Sequence, residues 1–117
     1  MLGESVVAEF IVKRVDLLHD QMYLKDVGIS AARDAKATIY GEPLCYQDDH
    51  GETHVIIPLG ESHIAIHTRS DLGILMLDIF TCGNIRAGDA LKTIYRYFPP
   101  CRDWEIWYSR GRGIVEP

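Results

Sequence analysis

A hydroxyl nucleophile lies beside a carboxylate and an imidazole where Gly60, Glu61, Ser62 and His63 follow one another. A serine hydroxyl attacks the carbonyl that precedes it only if the backbone takes an unusual conformation, and a glycine just upstream supplies that freedom. Histidine moves protons near neutral pH, and His67 follows within the same stretch. The residues are those of a self-processing serine, and a hairpin turn with a polar cap is the alternative interpretation.

Two strands are expected to hold this segment as a hairpin. Residues 55–59 (VIIPL) predict an apolar strand, which Pro58 places near an edge or a bulge, and residues 62–68 predict its partner. Further strands are predicted at residues 5–12, 37–40, 73–80 and 104–109, helices at residues 16–35 and 84–97, and a polar turn at residues 47–52.

This order of elements predicts an α+β fold with one mainly antiparallel sheet and two helices on one of its faces. Gly28 predicts a break or bend in the first helix. The other face of the sheet needs a cover, and a second subunit is the simplest one. The chain of 117 residues predicts a single domain over residues 1–117.

Composition and charge argue against a nucleic-acid-binding, a membrane-spanning or a secreted protein. The net charge is −5 and the chain has no basic stripe, so nucleic acid is not an expected partner. The sequence contains no apolar run of the roughly 20 residues that span a membrane, and its start does not resemble a signal peptide. Three widely spaced cysteines indicate free thiols in a reducing compartment, so we expect a cytoplasmic protein.

A metal site is the competing interpretation of the histidines. His63 and His67 lie on one face of the predicted strand, and Cys82 could add a third zinc ligand. No closely spaced pair of cysteines accompanies them, so we expect no metal. Cys82 by itself is equally compatible with a plain buried thiol.

Three motifs, in order and at matching spacing, make the chain resemble the prokaryotic S-adenosylmethionine decarboxylase family. Glu61-Ser62-His63 followed by His67-Thr68 matches the family pattern ESH-x-x-x-HT. The run DIFTCG at residues 78–83 matches the pattern D-x-F-T-C-G. The start of the chain, with VAEF at residues 7–10, resembles the first strand of that family.

The resemblance implies an inactive proenzyme that cleaves itself. The Ser62 hydroxyl attacks the preceding carbonyl, an ester forms, and β-elimination cuts the chain between Glu61 and Ser62. The products are a β chain of residues 1–61 and an α chain of residues 62–117 that begins with a pyruvoyl group made from Ser62. This group replaces pyridoxal phosphate, forms a Schiff base with the substrate amine and acts as the electron sink for CO₂ loss.

The resemblance also assigns roles to single residues. Cys82 matches the proton donor of the decarboxylation step, and His67 matches the histidine that promotes ester breakdown during processing. Ser62 and His67 have opposite parity in a regular strand, so their side chains face apart. The family implies a homodimer with a four-layer αββα arrangement, in which Ser62 and Cys82 of one subunit meet His67 of the other.

Departures from the family pattern concern the substrate pocket. Typical members carry Trp-Pro-Glu after the HT pair, whereas this chain has Arg69, Ser70 and Asp71. Tyr46 is the nearest candidate for an aromatic ahead of the hairpin, and Thr53 or His54 lies where the family has a processing serine. Asp71 and Arg69 are therefore the other candidate substrate-binding residues.

The predicted function is a pyruvoyl-dependent amino-acid decarboxylase of polyamine biosynthesis, including spermidine biosynthesis. S-adenosylmethionine is the leading substrate, and arginine or ornithine is the alternative on the same scaffold. A non-catalytic dimer partner of a related enzyme is the alternative from another class of protein. The presence of Ser62, His67 and Cys82 together argues against that partner role.

Overall fold

The computed structural model describes residues 2–115. The strands are β1 (Gly3–Ile11), β2 (Leu44–Gln47), β3 (Thr53–Leu59), β4 (Ser62–Arg69), β5 (Ile74–Cys82) and β6 (Arg102–Arg110). The helices are α1 (Gln21–Asp34), α2 (Ala87–Tyr97) and the single turn α3 (Arg112–Val115), and 3₁₀ turns span Val15–His19 and Ser70–Leu72. No helix within residues 2–115 is both long and apolar enough to cross a membrane.

All six strands form one sheet in the order β2-β3-β4-β5-β1-β6, and every neighbouring pair is antiparallel. The first strand of the chain therefore lies between β5 and β6, where Val6 is paired with Ile79 on one side and Trp107 on the other. The predicted strands at residues 5–12, 55–59, 62–68, 73–80 and 104–109 are confirmed, with ends that move by at most two residues.

The hydrophobic core lies between the sheet and the helices α1 and α2, which pack on the same face and against each other. Alternate strand residues point into this core, as Val6, Ala8 and Phe10 of β1 do. The helices contribute Leu24, Val27, Ala31, Ala90, Leu91 and Ile94. The predicted α+β architecture, with two helices on one face of an antiparallel sheet, is confirmed.

Helix α1 begins later than predicted and does not break at Gly28. The Asp20 carboxylate accepts a hydrogen bond from the Tyr23 N–H at 3.0 Å, which caps the helix and separates it from the 3₁₀ turn before it. A Cβ atom on Gly28 would lie 3.0 Å from the Ile57 side chain. Glycine is present because the helix approaches β3 closely there, so the predicted break or bend is wrong.

The strand predicted at residues 37–40 is also wrong. Lys36 has a φ of 62° and its N–H bonds to the Arg33 carbonyl, a left-handed ending that turns the chain out of α1. The next residues run as a loop, in which the Tyr40 N–H bonds to the Pro58 carbonyl at 3.0 Å. This loop forms one wall of the candidate site described below.

A short edge strand was not predicted. β2 pairs with residues 53–56 of β3 and leaves the last part of β3 without a strand on that side. Pro58 lies in this uncovered part, where proline is tolerated because no ladder is interrupted there. The expected position of Pro58 near a sheet edge is confirmed.

The face of the sheet opposite the helices is open and rich in apolar side chains. Trp104, Ile106 and Tyr108 of β6 are about half exposed there, at 48%, 57% and 51%, and Leu44 and Tyr46 of β2 extend the same surface at 55% and 46%. We call this surface the open face. An apolar surface of this extent is typical of an interaction site, and the dimer expected from the sequence stays a prediction.

Candidate active site

The link between β3 and β4 is a two-residue turn formed by Gly60 and Glu61. Leu59 and Ser62 are the last paired residues on either side of it. Gly60 has a φ of +78°, and a Cβ atom there would lie 3.3 Å from the Tyr40 ring. A left-handed first residue is the geometry of a tight hairpin turn, so glycine is required at this position.

Ser62 is buried at the start of β4, at the mouth of a small cavity. Its residue is 7% exposed. The cavity, of about 180 Å³, is bordered by Ser62, Glu61, Cys82, Lys36 and Tyr40. Three of the residues that the sequence predicted for the chemistry therefore border one cavity, although Ser62 is on β4 and Cys82 on β5.

Close backbone packing fixes the end of β5 that carries Cys82. A Cβ atom on Gly3 would lie 2.1 Å from the Thr81 carbonyl oxygen, so β1 can approach β5 here only with glycine. The Gly83 N–H also bonds to the Leu2 carbonyl at 3.0 Å. These contacts hold the end of β5 against the start of β1.

His67 lies on the open face, away from Ser62. Along β4, Ser62 alternates with the core residues Ile64 and Ile66, whereas His67 borders a cavity of about 360 Å³ on the opposite face. The predicted opposite parity is confirmed. Within one chain, Ser62 and Cys82 border the same cavity, and His67 borders a different one.

A hydrogen-bonded chain of side chains positions His67. Its Nδ1 lies 2.8 Å from Nδ1 of His54, and Nε2 of His54 lies 2.8 Å from Oδ2 of Asp48. Burial lowers the pKa of His67, the neighbouring His54 lowers it further, and Asp78 opposes both effects. His67 is therefore held in its neutral, basic form over a wider range of pH.

Comparison with known proteins decides the family. A family model described as S-adenosylmethionine decarboxylase matches residues 4–103. The chain belongs to the S-adenosylmethionine decarboxylase family. Because the match extends over most of the chain, the family expected from the three motifs is confirmed.

Relatives and a solved structure agree with this assignment. An S-adenosylmethionine decarboxylase proenzyme from Syntrophomonas wolfei is 35% identical over 83% of this chain and 77% of its own length. One from Brevibacillus brevis is 36% identical over 98% and 89%. The crystal structure of the adenosylmethionine decarboxylase from Aquifex aeolicus matches with a TM-score of 0.82, at 24% identity over 94% of this chain and 91% of that one, and supports the fold.

Two of the candidate substrate-binding residues, Arg69 and Asp71, follow His67 closely in sequence and are paired with each other. Arg69 donates from Nε and Nη2 to the two oxygens of Asp71, at 3.0 and 2.9 Å. This pair lowers the pKa of Asp71 and raises that of Arg69. Tyr46, the third candidate, stacks at 4.9 Å on the His54 ring.

Glu52 anchors the segment that carries this pair. It is 7% exposed and accepts hydrogen bonds from the Ser70 N–H, the Ser70 hydroxyl and the Thr68 hydroxyl. Burial raises the pKa of Glu52, but these hydrogen bonds outweigh it, and the net pKa is lowered. A buried carboxylate thus fixes the path of the chain where the family has its Trp-Pro-Glu.

Two side chains that are hydrogen-bonded in a chain with His67 were missed or left open by the sequence. Asp48 was not predicted to contact a histidine, and His54 was only one of two candidates for a lost processing serine. The pairing of His54 with His67 across β3 and β4 is the signal that would have found them. Within residues 2–115, no group of three or more His, Cys, Asp or Glu side chains could hold a metal ion.

Proposed function

We propose that the chain is a pyruvoyl-dependent S-adenosylmethionine decarboxylase of polyamine biosynthesis, made as a proenzyme that cuts itself between Glu61 and Ser62. The observation that carries the proposal is that Ser62, Glu61 and Cys82 border one cavity beside a glycine turn. A family relationship over residues 4–103 supports the same reaction class.

Cleavage begins when the Ser62 hydroxyl attacks the carbonyl carbon of Glu61. The peptide C–N bond breaks, and Glu61 becomes an ester on Ser62, whose amine is now free. Removal of the Ser62 Cα proton expels the Glu61 carboxylate and leaves a dehydroalanine. Water then replaces its nitrogen, ammonia leaves, and the pyruvoyl group heads the α chain of residues 62–117.

The surroundings of Ser62 fit the group that this reaction would make. The register that pairs His63 with Phe80 brings Ser62 opposite Thr81. The Thr81 hydroxyl is buried and has no hydrogen-bond partner among the described residues. Buried hydroxyls are normally paired, so this donor is available to a carbonyl oxygen formed at position 62.

Decarboxylation uses the same cavity. The pyruvoyl ketone supplies a sink for the electron pair that CO₂ leaves behind. Cys82, which borders the cavity with Ser62, is the proposed donor of the proton that returns to the substrate Cα. The sequence of events needs no metal and no pyridoxal phosphate.

The proposed assembly is a homodimer in which two open faces pack together in an αββα arrangement. Half-exposed Trp104, Ile106 and Tyr108 support it, because such a surface is costly to leave in water. The proposal also pairs Ser62 of one subunit with His67 of the other, as the family resemblance implies. A cytoplasmic location is part of the proposal and rests on the free cysteines.

A second candidate substrate is arginine or ornithine. Asp71 is neutralised by Arg69, and no tryptophan follows the HT pair, so the features expected for an adenosyl group are weakened. Asp48, Glu52 and Asp71 border a cavity of about 630 Å³, which offers carboxylates to a cationic side chain. Small-molecule amino acids remain the substrate class under either reading.

Intact mass measured under denaturing conditions tests the proposal. We expect two fragments. The α chain, residues 62–117, should have the mass of a chain that begins with a pyruvoyl group in place of Ser62. Ser62→Ala is expected to stay as one chain, and Ser109→Ala, on the exposed strand β6, is the matched control that cleaves. Decarboxylation assays with S-adenosylmethionine, arginine and ornithine then identify the substrate.

A parent chain that stays uncut after incubation near neutral pH would contradict the enzyme assignment. That result would favour a non-catalytic dimer partner, and mixing the chain with a cleaving relative would then test for activation. Cleavage without a pyruvoyl mass would contradict the cofactor assignment alone.

A further inference from the structure

Asp48, His54 and His67 form a continuous hydrogen-bonded chain from the β2–β3 turn to the open face. Both links, Asp48 Oδ2 to His54 Nε2 and His54 Nδ1 to His67 Nδ1, measure 2.8 Å. The family pattern has a processing serine in this region, where this chain has Thr53 and His54. The proton positions along the hydrogen-bonded chain follow from the chemistry of its first member.

Asp48 can act only as an acceptor in this chain. Its other oxygen, Oδ1, accepts hydrogen bonds from the N–H groups of His50 and Glu52 at 2.9 and 3.1 Å. The hydrogen bond from His54, followed by that from the Glu52 N–H, lowers the pKa of Asp48 to about 2. An ionised carboxylate has no proton to give, so Nε2 of His54 must carry the proton that lies between them.

The remaining protons are then determined in turn. A neutral imidazole has one N–H and one lone pair, so Nδ1 of His54 is an acceptor. Nδ1 of His67 must donate to it, which leaves the lone pair of His67 on Nε2. No described residue donates a hydrogen bond to that Nε2.

We propose that Asp48 and His54 are positioning residues that hold His67 in the Nδ1–H form, so that Nε2 of His67 is a proton acceptor on the open face. The three side chains act as a relay. A proton taken up at Nε2 is matched by transfer of the Nδ1 proton to His54, and the positive charge then lies beside the Asp48 carboxylate. Only these two protons move: His67 ends neutral, and the charge gained by His54 is paired with the Asp48 carboxylate.

Other charged groups around His67 act on the same ring without replacing this chain. Asp78 of β5 raises the pKa of His67, and Glu9 of β1 borders the same cavity. Tyr46 of β2 stacks on His54 rather than on His67. None of these groups contacts Nδ1 of His67, so the choice of tautomer depends on His54 and Asp48.

Nitrogen-15 NMR of the imidazole rings of the full chain, at a pH where both histidines are neutral, tests the proposal directly. We expect Nδ1 of His67 to be the protonated nitrogen and Nε2 to be the unprotonated one, with the opposite pattern for His54. His54→Gln and His67→Gln assign the signals. A His67 ring protonated at Nε2 in the parent chain overturns the proposal.

Asp48→Asn is expected to reverse the direction of both hydrogen bonds among residues 48, 54 and 67 while keeping the bonds themselves. Its amide oxygen takes the place of Oδ1 under the two N–H groups, so the NH₂ group must face His54 and donate to Nε2. His54 then donates from Nδ1, and His67 is expected to switch to the Nε2–H form. Unchanged His67 signals in this variant also overturn the proposal. Asp49→Asn, the exposed neighbour in the same turn, is the control that leaves the signals unchanged.

Cleavage kinetics give a second readout that rests on the proposed function. In a chain that cleaves, Asp48→Asn is expected to slow processing by about tenfold to a thousandfold, because it blocks a general base. If the His67 tautomer switches in Asp48→Asn but the cleavage rate stays the same, the relay exists but does not act in processing. A parent chain that does not cleave contradicts the proposed function, while the NMR result still decides the tautomer.

Discussion

Ser62 and His67 leave the same strand on opposite faces of the sheet. They do not meet within one chain, and the proposed homodimer pairs Ser62 of one subunit with His67 of the other. Co-expression of Ser62→Ala with His67→Ala is therefore expected to restore cleavage that neither variant shows alone. Only the His67→Ala copy should be cut, because its intact Ser62 meets the partner's His67.

Intact mass of the mixed dimer distinguishes the two copies, since their substitutions change the mass by different amounts. The control is each variant expressed singly at the same concentration. Cleavage of His67→Ala alone at the parent rate, or no cleavage in the mixture, would show that His67 does not act across an interface.

Ile106→Asp is expected to convert the proposed dimer to a monomer. Ile106 is 57% exposed on the open face and borders the cavity beside His67. An unpaired buried carboxylate costs about 3 kcal/mol or more, which weakens association roughly a hundredfold. Sedimentation velocity measures the change.

Met22→Asp is the matched control for that measurement. Met22 is 77% exposed on the helical side of the protein, so the same charge there should leave the oligomeric state unchanged. Equal sedimentation of the parent and Ile106→Asp would place the interface elsewhere.

Gly60→Ala is expected to destabilise the hairpin. Gly60 has a φ of +78°, which costs a residue with a Cβ about 1–2 kcal/mol, and the new atom would lie 3.3 Å from Tyr40. Urea unfolding measures the loss. Gly113→Ala is the control, since nothing lies within 4 Å of a Cβ atom there. Equal losses in the two variants would mean that the turn geometry carries no cost.

Arg69→Gln is expected to lower KM for a cationic substrate. The change releases Asp71 from its ion pair and removes a positive charge from the candidate pocket. Because the pair is exposed and screened by water, the effect should be small, about two- to fivefold. Arg14→Gln is the matched control. Arg14 donates hydrogen bonds to both oxygens of Asp16, two residues away, in the same way that Arg69 binds Asp71. A KM that rises or stays constant would exclude Asp71 as the substrate carboxylate.

Asp48→Asn is expected to reduce the dependence of the unfolding free energy on pH at acidic pH. The pKa of Asp48 falls from 3.8 to about 2 on folding, so its contribution is fully present above 3.8 and is lost as the pH falls through about 2. The parent should therefore exceed the variant in unfolding free energy at neutral pH, with the difference shrinking across that window. Urea unfolding at several pH values measures it, and a difference independent of pH would contradict the lowered pKa.

The features that could be predicted from the sequence are those that hydrophobic periodicity and short motifs determine. Alternation of apolar residues located the long strands, and the ESH, HT and FTCG motifs located the cavity of Ser62 and Cys82. The strand at residues 37–40 failed because local β propensity was overridden by the left-handed ending of α1 at Lys36. Gly28 was misread because its reason is a contact with Ile57 of a distant strand, which no local pattern reveals.

The contacts between residues of the candidate site were harder to predict than the identity of those residues. The pair of His54 and His67 depends on the register of β3 and β4. Asp48 reaches them from a turn in which its own carboxylate accepts hydrogen bonds from the His50 and Glu52 N–H groups. The engagement of Asp71 by Arg69 depends on a 3₁₀ turn that Glu52 holds in place. Each of these depends on tertiary placement rather than on composition.

The position of β1 between β5 and β6 has a consequence for the thermodynamics of the cut protein. A break at residues 61 and 62 would leave β1, β2 and β3 on one fragment and β4, β5 and β6 on the other, with β1 inserted into the sheet of its partner. The unfolded state would then be two molecules instead of one. The melting temperature of the cut protein should rise with its concentration, and its refolding should become second order, as for an obligate heterodimer.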